Sequence, residues 1–224
     1  PRAVPGTESG GAECAQTRKR RIVVVDLDGT LIRSDLLVEC VFLFLKRHPL
    51  RFWQLFLWLL QGKAAFKQRL ADLVAPAAQT LPYNEALLSW LAEQRSAGAR
   101  LVLATASDLR LARAIADHTS MFDEVLGTQE RNLAAGHKRE ALVGLFGDQG
   151  YEYVGNSKAD LAVWRSASVV HVANPDRGVL ARAHALGRTG QLFRDEGSYA
   201  SALRRALRLH QWAKNALLFV PLLA

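Results

Sequence analysis

Along this chain, short apolar runs that stop at polar turns alternate with longer stretches of helical periodicity. The β-branched run Ile22–Val25 ends at Asp26-Leu27-Asp28-Gly29-Thr30 and reads as a buried strand. From about residue 36 to 95 the period becomes helical. It predicts helices over Leu36–Lys46, Leu50–Gln61, Ala64–Leu73 and Asn84–Ala97, with Gly62 as a break, Pro82 ahead of the fourth helix and Gly98 as its stop. Arg100–Ala104 predicts a second strand, followed by a helix over Leu109–His118 with Ser107 or Asp108 as its N-cap. Three more strands are predicted at Glu124–Gly127, Tyr151–Val154 and Val169–Val172, with helices at Lys138–Phe146 and Asp160–Arg165 between them. Strand and helix in strict alternation imply an α/β domain with a parallel sheet and crossover helices.

Composition bounds the function classes. The 224 residues, half of them apolar, suffice for one α/β domain with a small insertion. The net charge of +8, from 29 basic and 21 acidic side chains, sits at the ends: Arg18, Lys19, Arg20 and Arg21 before the first strand, and Arg204, Arg205, Arg208 and Lys214 near the C-terminus. A nucleic-acid binder spreads a basic face with interleaved aromatics over its fold, so no nucleic-acid partner is expected. Basic flanks suit an anionic membrane surface, or are simply two solvated ends. Cys14 and Cys40 have no Cys-x-x-Cys companion. That excludes a zinc pattern and a disulfide framework and fits a reducing, cytoplasmic environment. Residues 1–20 hold no apolar core of a signal peptide and read as a disordered leader.

Candidate chemistry collects at one edge of the predicted sheet. Ligands of parallel sheets sit beyond the carboxyl ends of the strands. Three strands end there in polar side chains: Asp26 and Asp28, Thr105 and Ser107, and Asn156. One Asp-x-Asp is commonplace; three polar strand ends together are not. A carboxylate on a rigid strand end can attack phosphorus and form an aspartyl-phosphate, and Asp26 is placed for that. Asp28 points the same way if the strand geometry persists, and can protonate a leaving alcohol and then activate water. Gly29 permits a sharp turn whose amides face the phosphate. Carboxylates so close together call for a hard cation, and Mg²⁺ suits one or two of them with waters and a substrate phosphate. Thr105 offers a hydroxyl to a phosphate oxygen at the head of a helix. Lys138 is the lysine expected to offset phosphate charge, with Lys158 as its rival. Asn156 and Asp160 add oxygen ligands.

Asp26-Leu27-Asp28-Gly29-Thr30-Leu31, Leu103-Ala104-Thr105-Ala106-Ser107, Lys138 and Gly155-Asn156-Ser157-Lys158-Ala159-Asp160 resemble, in order, the four motifs of the haloacid dehalogenase (HAD) superfamily. The resemblance covers roughly residues 21 to 175. It implies a Rossmann-like α/β sheet over 21–197, with a small helical cap at about 33–98 inserted after the first strand, as in phosphoserine-phosphatase-like members. It also implies Asp26 as nucleophile, Asp28 as general acid/base, and Thr105 and Lys138 beside them, with Gly29, Ala106 and Ser107 around a small phosphorylated substrate. Mg²⁺ would lie on the Asp26 carboxylate, the Asp28 backbone carbonyl and Asn156, with Asp160 direct or through water. The second Asp of the first motif is typical of phosphatases and mutases. The implied activity is therefore Mg²⁺-dependent phosphomonoester hydrolysis through an aspartyl-phosphate, with a phosphomutase or a non-catalytic docking domain as the alternatives. Motif four usually begins with Asp; Asn156 removes one negative charge.

Two further stretches carry readings. Phe52–Leu60 is very apolar but too short to span a bilayer; it is cap core, or a face lying on a membrane beside Arg47 and Arg51. Residues 198–224 read as a basic amphipathic helix followed by the start of a truncated transmembrane segment, against the alternative of a buried tail. Within them, Arg208–Asn215 and Val220-Pro221-Leu222-Leu223 resemble the opening of UbiA-type prenyltransferases. More particularly, they resemble the decaprenyl-phosphate phosphoribosyltransferase-like branch, some of whose members carry an N-terminal HAD domain. That resemblance implies a polyprenyl-linked or sugar phosphate as substrate, a membrane prenyltransferase region as partner, and a place on the cytoplasmic side of the membrane or in the cytoplasm. The transferase's own aspartate-rich motifs are absent.

Overall fold

The computed structural model describes residues 20–128, 133 and 135–194. The leader apart from Arg20, and the basic helix and apolar segment expected over 198–224, lie outside the described residues. Ile22–Val25 forms β1, whose Val23, Val24 and Val25 are all fully buried. Successive strand side chains face opposite sides, so an unbroken run of valines needs an apolar cover on both. The sheet supplies this. β1 is flanked by β2 (Arg100–Asp108) and β4 (Glu152–Gly155), and beyond them lie β3 (Glu124–Thr128), β5 (Val169–Ala173) and β6 (Thr189–Phe193). The order is β3-β2-β1-β4-β5-β6, and every pairing is parallel.

Helices α4 (Glu85–Ser96) and α5 (Leu109–Thr119) cover one face, packing Leu87, Leu91, Ala112 and Ile115 against Val23, Val25, Leu101 and Leu103. Helices α6 (Ala135–Phe146), α7 (Leu161–Trp164) and α8 (Val179–His184) cover the other, where Leu142, Val163, Trp164 and Val179 meet Val24, Val102 and Tyr153. The remaining helices, α1 (Leu36–Arg47), α2 (Trp53–Leu60) and α3 (Lys63–Leu73), bury Cys40, Phe44, Trp58, Leu70 and Val74 in a small core of their own. Within the 33–98 insertion, then, α1–α3 stand apart as a cap, while α4 belongs to the sheet's covering layer. The Cys40 thiol is pushed up to about 12, chiefly by burial, and is unreactive there.

The expected parallel α/β architecture with helices inserted after the first strand is the architecture observed. Two elements lie beyond the expectation. β6 is an edge strand, Thr-Gly-Gln-Leu-Phe, and α8 is only six residues long. Neither carries a period long enough to read, and both depend on docking against β5 and α7. Strand β2 also runs further than Ala104, because a register shift lets Asp108 pair with Thr128.

The edge opposite the carboxyl ends holds a buried ion cluster. Arg21, placed by sequence in a basic flank, reaches Glu152 with Nη2 2.7 Å from Oε2. His171 Nδ1 accepts the Gln191 N–H at 2.9 Å, so Nε2 carries the ring proton and donates it to Glu152 at 2.8 Å. Burial alone would raise the Glu152 pKa, but the hydrogen bonds from His171 and Arg21 overcome it and hold the carboxyl at about 2. The folded value lies below the ordinary one of 4.5, so this stabilisation is complete above pH 4.5 and is lost as pH falls towards 2. Glu152→Gln is therefore expected to flatten the acid limb of stability across that window. It should cost about 2 kcal/mol at neutral pH, discounted for the half-exposed Arg21. Urea unfolding as a function of pH measures both.

Candidate active site

The strand order reverses at β1, between β2 and β4, and the crevice at their carboxyl ends is where such sheets place ligands. The Asp26 N–H donates to Val154 O at 3.0 Å, which carries β1 one residue past its last valine. The chain then turns sharply: Thr30 N–H donates to Leu27 O, and Gly29 takes φ +72°. A side chain at Gly29 would be strained, and its Cβ would collide with Asn156 Nδ2. This turn and the loop after β4 enclose a cavity of about 350 Å³, lined by Asp26, Asp28, Gly29, Ala106, Lys138 and Asn156 among others.

Lys138, on the first turns of α6, is buried and places Nζ 2.6 Å from Asp26 Oδ1 and 3.1 Å from the Tyr153 hydroxyl. Its rival Lys158 is exposed. The Asp28 carboxylate accepts at Oδ1 from Leu36 N–H (2.8 Å), and at Oδ2 from Ser107 Oγ (2.8 Å) and Thr105 Oγ1 (3.3 Å). Thr105 and Ser107 therefore hold Asp28 in place, and of the Thr105-Ala106-Ser107 segment only Ala106 lines the cavity. Asp108, not Ser107, caps α5, accepting from Arg110 N–H.

Asp160, expected among the metal ligands, lines the same cavity and anchors the loop beside it. Its Oδ1 accepts from the Tyr153 hydroxyl at 2.9 Å, and its Oδ2 accepts from Asn156 N–H (3.1 Å), Ser157 N–H (2.9 Å) and Ser157 Oγ (3.0 Å). Both oxygens are engaged, so the residue organises the loop that carries Asn156. Gly155 makes room for it: a Cβ there would lie 2.7 Å from Asp160 Cγ.

Charge in the cavity is unbalanced. Among the described residues lining it, Asp26, Asp28, Asp35 and Asp160 stand against one ammonium, Lys138. Burial raises Asp26 most, Lys138 opposes this, and repulsion from Asp160 and Asp28 adds to it, leaving the carboxyl pushed up to about 7. Burial also raises Asp28, against the hydrogen bond from Leu36. Lys138 is penalised by burial, but Asp26 and Asp160 more than compensate and raise it.

The donors fit a hard cation in part. Asp26 Oδ2 and the amide oxygen of Asn156 face the cavity without a hydrogen bond from the described residues. Oxygen donors with an excess of negative charge are what Mg²⁺ takes. Among the described residues, no group of three or more His, Cys, Asp or Glu is arranged to hold a metal.

Several residues at the site were not singled out from sequence. Tyr153 links Lys138 to Asp160, and nothing in a buried strand marks it. Ser157 and Asp160 form a capping box, a spacing that sequence could have shown. Lys67 of α3 leans from the cap over the end of β2, with Nζ 3.4 Å from Ala106 O; only the packing of α3 brings it there.

Comparison with known proteins bears on the family and the fold. The family model of haloacid dehalogenase-like hydrolases matches residues 23–165. The chain is 34% identical over 202 residues to the uncharacterized protein y4nM of Sinorhizobium fredii, covering 89% of this chain but only 39% of that relative's length. A protein of unknown function from Bordetella pertussis Tohama I superposes with a TM-score of 0.61 at 16% identity, covering 78% of this chain and 98% of the other. A phospho-aspartyl intermediate analogue of phosphoserine phosphatase superposes with a TM-score of 0.53 at 11% identity, covering 86% and 99%. At such identities the two structures show a shared fold.

Proposed function

The chain belongs to the haloacid dehalogenase-like hydrolase family, and from that premise we propose that it is a phosphomonoesterase that works through an aspartyl-phosphate on Asp26. One observation carries the reading: Asp26 and Asp28 share one cavity, with Asp26 Oδ1 tied to Lys138 at 2.6 Å and its second oxygen left open. Lys138 favours the ionised, nucleophilic form of Asp26 against the cost of its burial. Asp26 Oδ2 attacks phosphorus, the bond from phosphorus to the ester oxygen breaks, and Asp28 gives its proton to the leaving alkoxide. Its raised pKa suits an acid. Asp28, now ionised, then takes a proton from the water that attacks the acyl phosphate, releasing inorganic phosphate and restoring Asp26.

Mg²⁺ is the cofactor in this reading, held by Asp26 and Asn156 with the Asp28 backbone carbonyl, and when bound it supplies neutralisation of phosphate charge. The Asn156 amide gives a weaker site than a carboxylate would. Asn156→Asp is expected to tighten Mg²⁺ binding by about tenfold, read by titration calorimetry without substrate. Gly29→Ala should weaken it by displacing Asn156, with the strain of φ +72° costing about 1 kcal/mol of stability.

Hydrolysis of a generic aryl phosphate by the purified chain with Mg²⁺ tests the reading; no turnover over a panel of phosphate esters would overturn it and favour a docking role. A polyprenyl-linked or sugar phosphate as substrate, and a membrane prenyltransferase region as partner, rest on the UbiA-type resemblance of 208–223. Among the described residues, no helix is long and apolar enough to cross a membrane.

A further inference from the structure

The cap carries an apolar surface that the described residues leave uncovered. Phe52, Trp53, Phe56, Leu57, Leu59 and Leu60 are all exposed, Leu60 at 85%, while Trp58 alone of α2 is buried. At about 100° per residue, these positions span an arc of about 160° around the helix. Monomeric soluble proteins rarely leave a contiguous patch of this kind open to water. The charge along the chain on either side of α2 has one sign. Between Glu39 and Asp72 the sequence holds six Lys or Arg and no acidic residue. Lys46, Arg47 and Arg51, which lead into α2, are exposed.

We propose that this face of the cap seats on an anionic bilayer surface, with α2 in the plane of the interface. The basic residues complement anionic headgroups, and Trp and Phe are the side chains that settle at the boundary between headgroup and acyl chain. Eight residues cannot span a bilayer, so a surface position is the one open to α2. A second copy fits less well, because the stretch between Glu39 and Asp72 offers no carboxylate to pair with the Arg47 and Arg51 of the other copy. A protein groove typically reads one stripe at i, i+3 and i+4, narrower than the exposed arc, whereas fluid lipid conforms to all of it. Lys67, on α3 of the same cap, donates to Ala106 O on β2, which joins the cap to the strand end at the cavity. The inference depends neither on the catalytic reading nor on residues 198–224.

The test uses the full 224-residue chain, floated with vesicles of phosphatidylglycerol and phosphatidylcholine in equal parts or of phosphatidylcholine alone, with amide hydrogen exchange followed across the chain. The chain should float with the anionic vesicles, and exchange should slow over residues 50–62. Trp53→Ser with Phe56→Ser should lower the partition coefficient by about tenfold or more and remove the slowing at 50–62. Arg47→Glu with Arg51→Glu should do the same most strongly at low salt. Urea unfolding midpoints matching the unaltered chain exclude misfolding as the cause. The proposal fails if the chain does not float. It fails equally if both variants float unchanged with no slowing at 50–62, which would place the contact elsewhere. Slowing at 50–62 that grows with protein concentration in the absence of lipid would instead make this a face between copies.

Discussion

Asp26→Asn should reduce kcat for aryl phosphate hydrolysis by about a thousandfold or more, because an amide oxygen is too weak a nucleophile for phosphorus. The substitution is close to isosteric, and its Oδ1 can still accept from Lys138 Nζ, 2.6 Å away in the parent chain. A loss of rate with an unfolding midpoint near that of the parent would locate the effect in chemistry. Retention of even a tenth of the activity would remove Asp26 from the role of nucleophile. The parent enzyme should also show an acid limb. Asp26 must be ionised to attack, and burial together with its carboxylate neighbours sets its pKa at about 7 in the metal-free site. Activity at low Mg²⁺ should therefore rise with pH through that region. At saturating Mg²⁺ the limb should move to lower pH, since a cation favours the ionised form. An acid limb independent of Mg²⁺ concentration would argue against a cation beside Asp26.

The largest effect on the fold itself is expected at Asp160. Asp160→Ala strips the acceptor from the Tyr153 hydroxyl, from two backbone N–H groups and from Ser157 Oγ in a site where the carboxylate is nearly fully buried. Buried donors left unsatisfied cost about 1–3 kcal/mol each, part of which water entering from the cavity recovers, so a net loss of about 3 kcal/mol is expected in urea unfolding. Activity should fall by about a hundredfold, as the loop holding Asn156 loses its anchor. Through Asp26 alone the electrostatic effect would run the other way, since removing a neighbouring carboxylate makes Asp26 easier to ionise; an activity loss that persists at saturating Mg²⁺ excludes weaker cation binding as its cause. Asp160→Asn keeps one acceptor oxygen and should recover part of both quantities. An Asp160→Ala chain as stable as its parent would show that the loop is held by something else.

The two halves of the site were legible to different degrees. Asp26 and Asp28 could be picked out from the order of residues alone, because a valine run that ends in Asp-x-Asp-Gly marks a strand end and its chemistry within a few positions. The parallel α/β class followed from the same alternation of short apolar runs and helical periods, since each strand buried on two faces demands a helix on either side. The roles of Thr105, Ser107 and Asp160 were not legible. Their residue types allow phosphate or metal contact as readily as the hydrogen bonds they make. The hydrogen bonds they make depend on where β2, β4 and the loop after Gly155 bring them relative to Asp28 and Tyr153.

What the sequence by itself determined is thus local: the strands, the helices, and the carboxylate pair at the end of β1. These arise from hydrophobic period and from residues adjacent in the chain. What only the tertiary structure decided is everything that requires two distant segments to meet. Lys138 rather than Lys158 reaches Asp26, Arg21 joins Glu152 and His171 instead of a solvated flank, and Lys67 arrives from the cap. The apolar face of α2 is the clearest case. Its sequence fits a buried core or a surface equally well, because hydrophobicity records a preference for leaving water and not whether a partner within the chain is there to receive it.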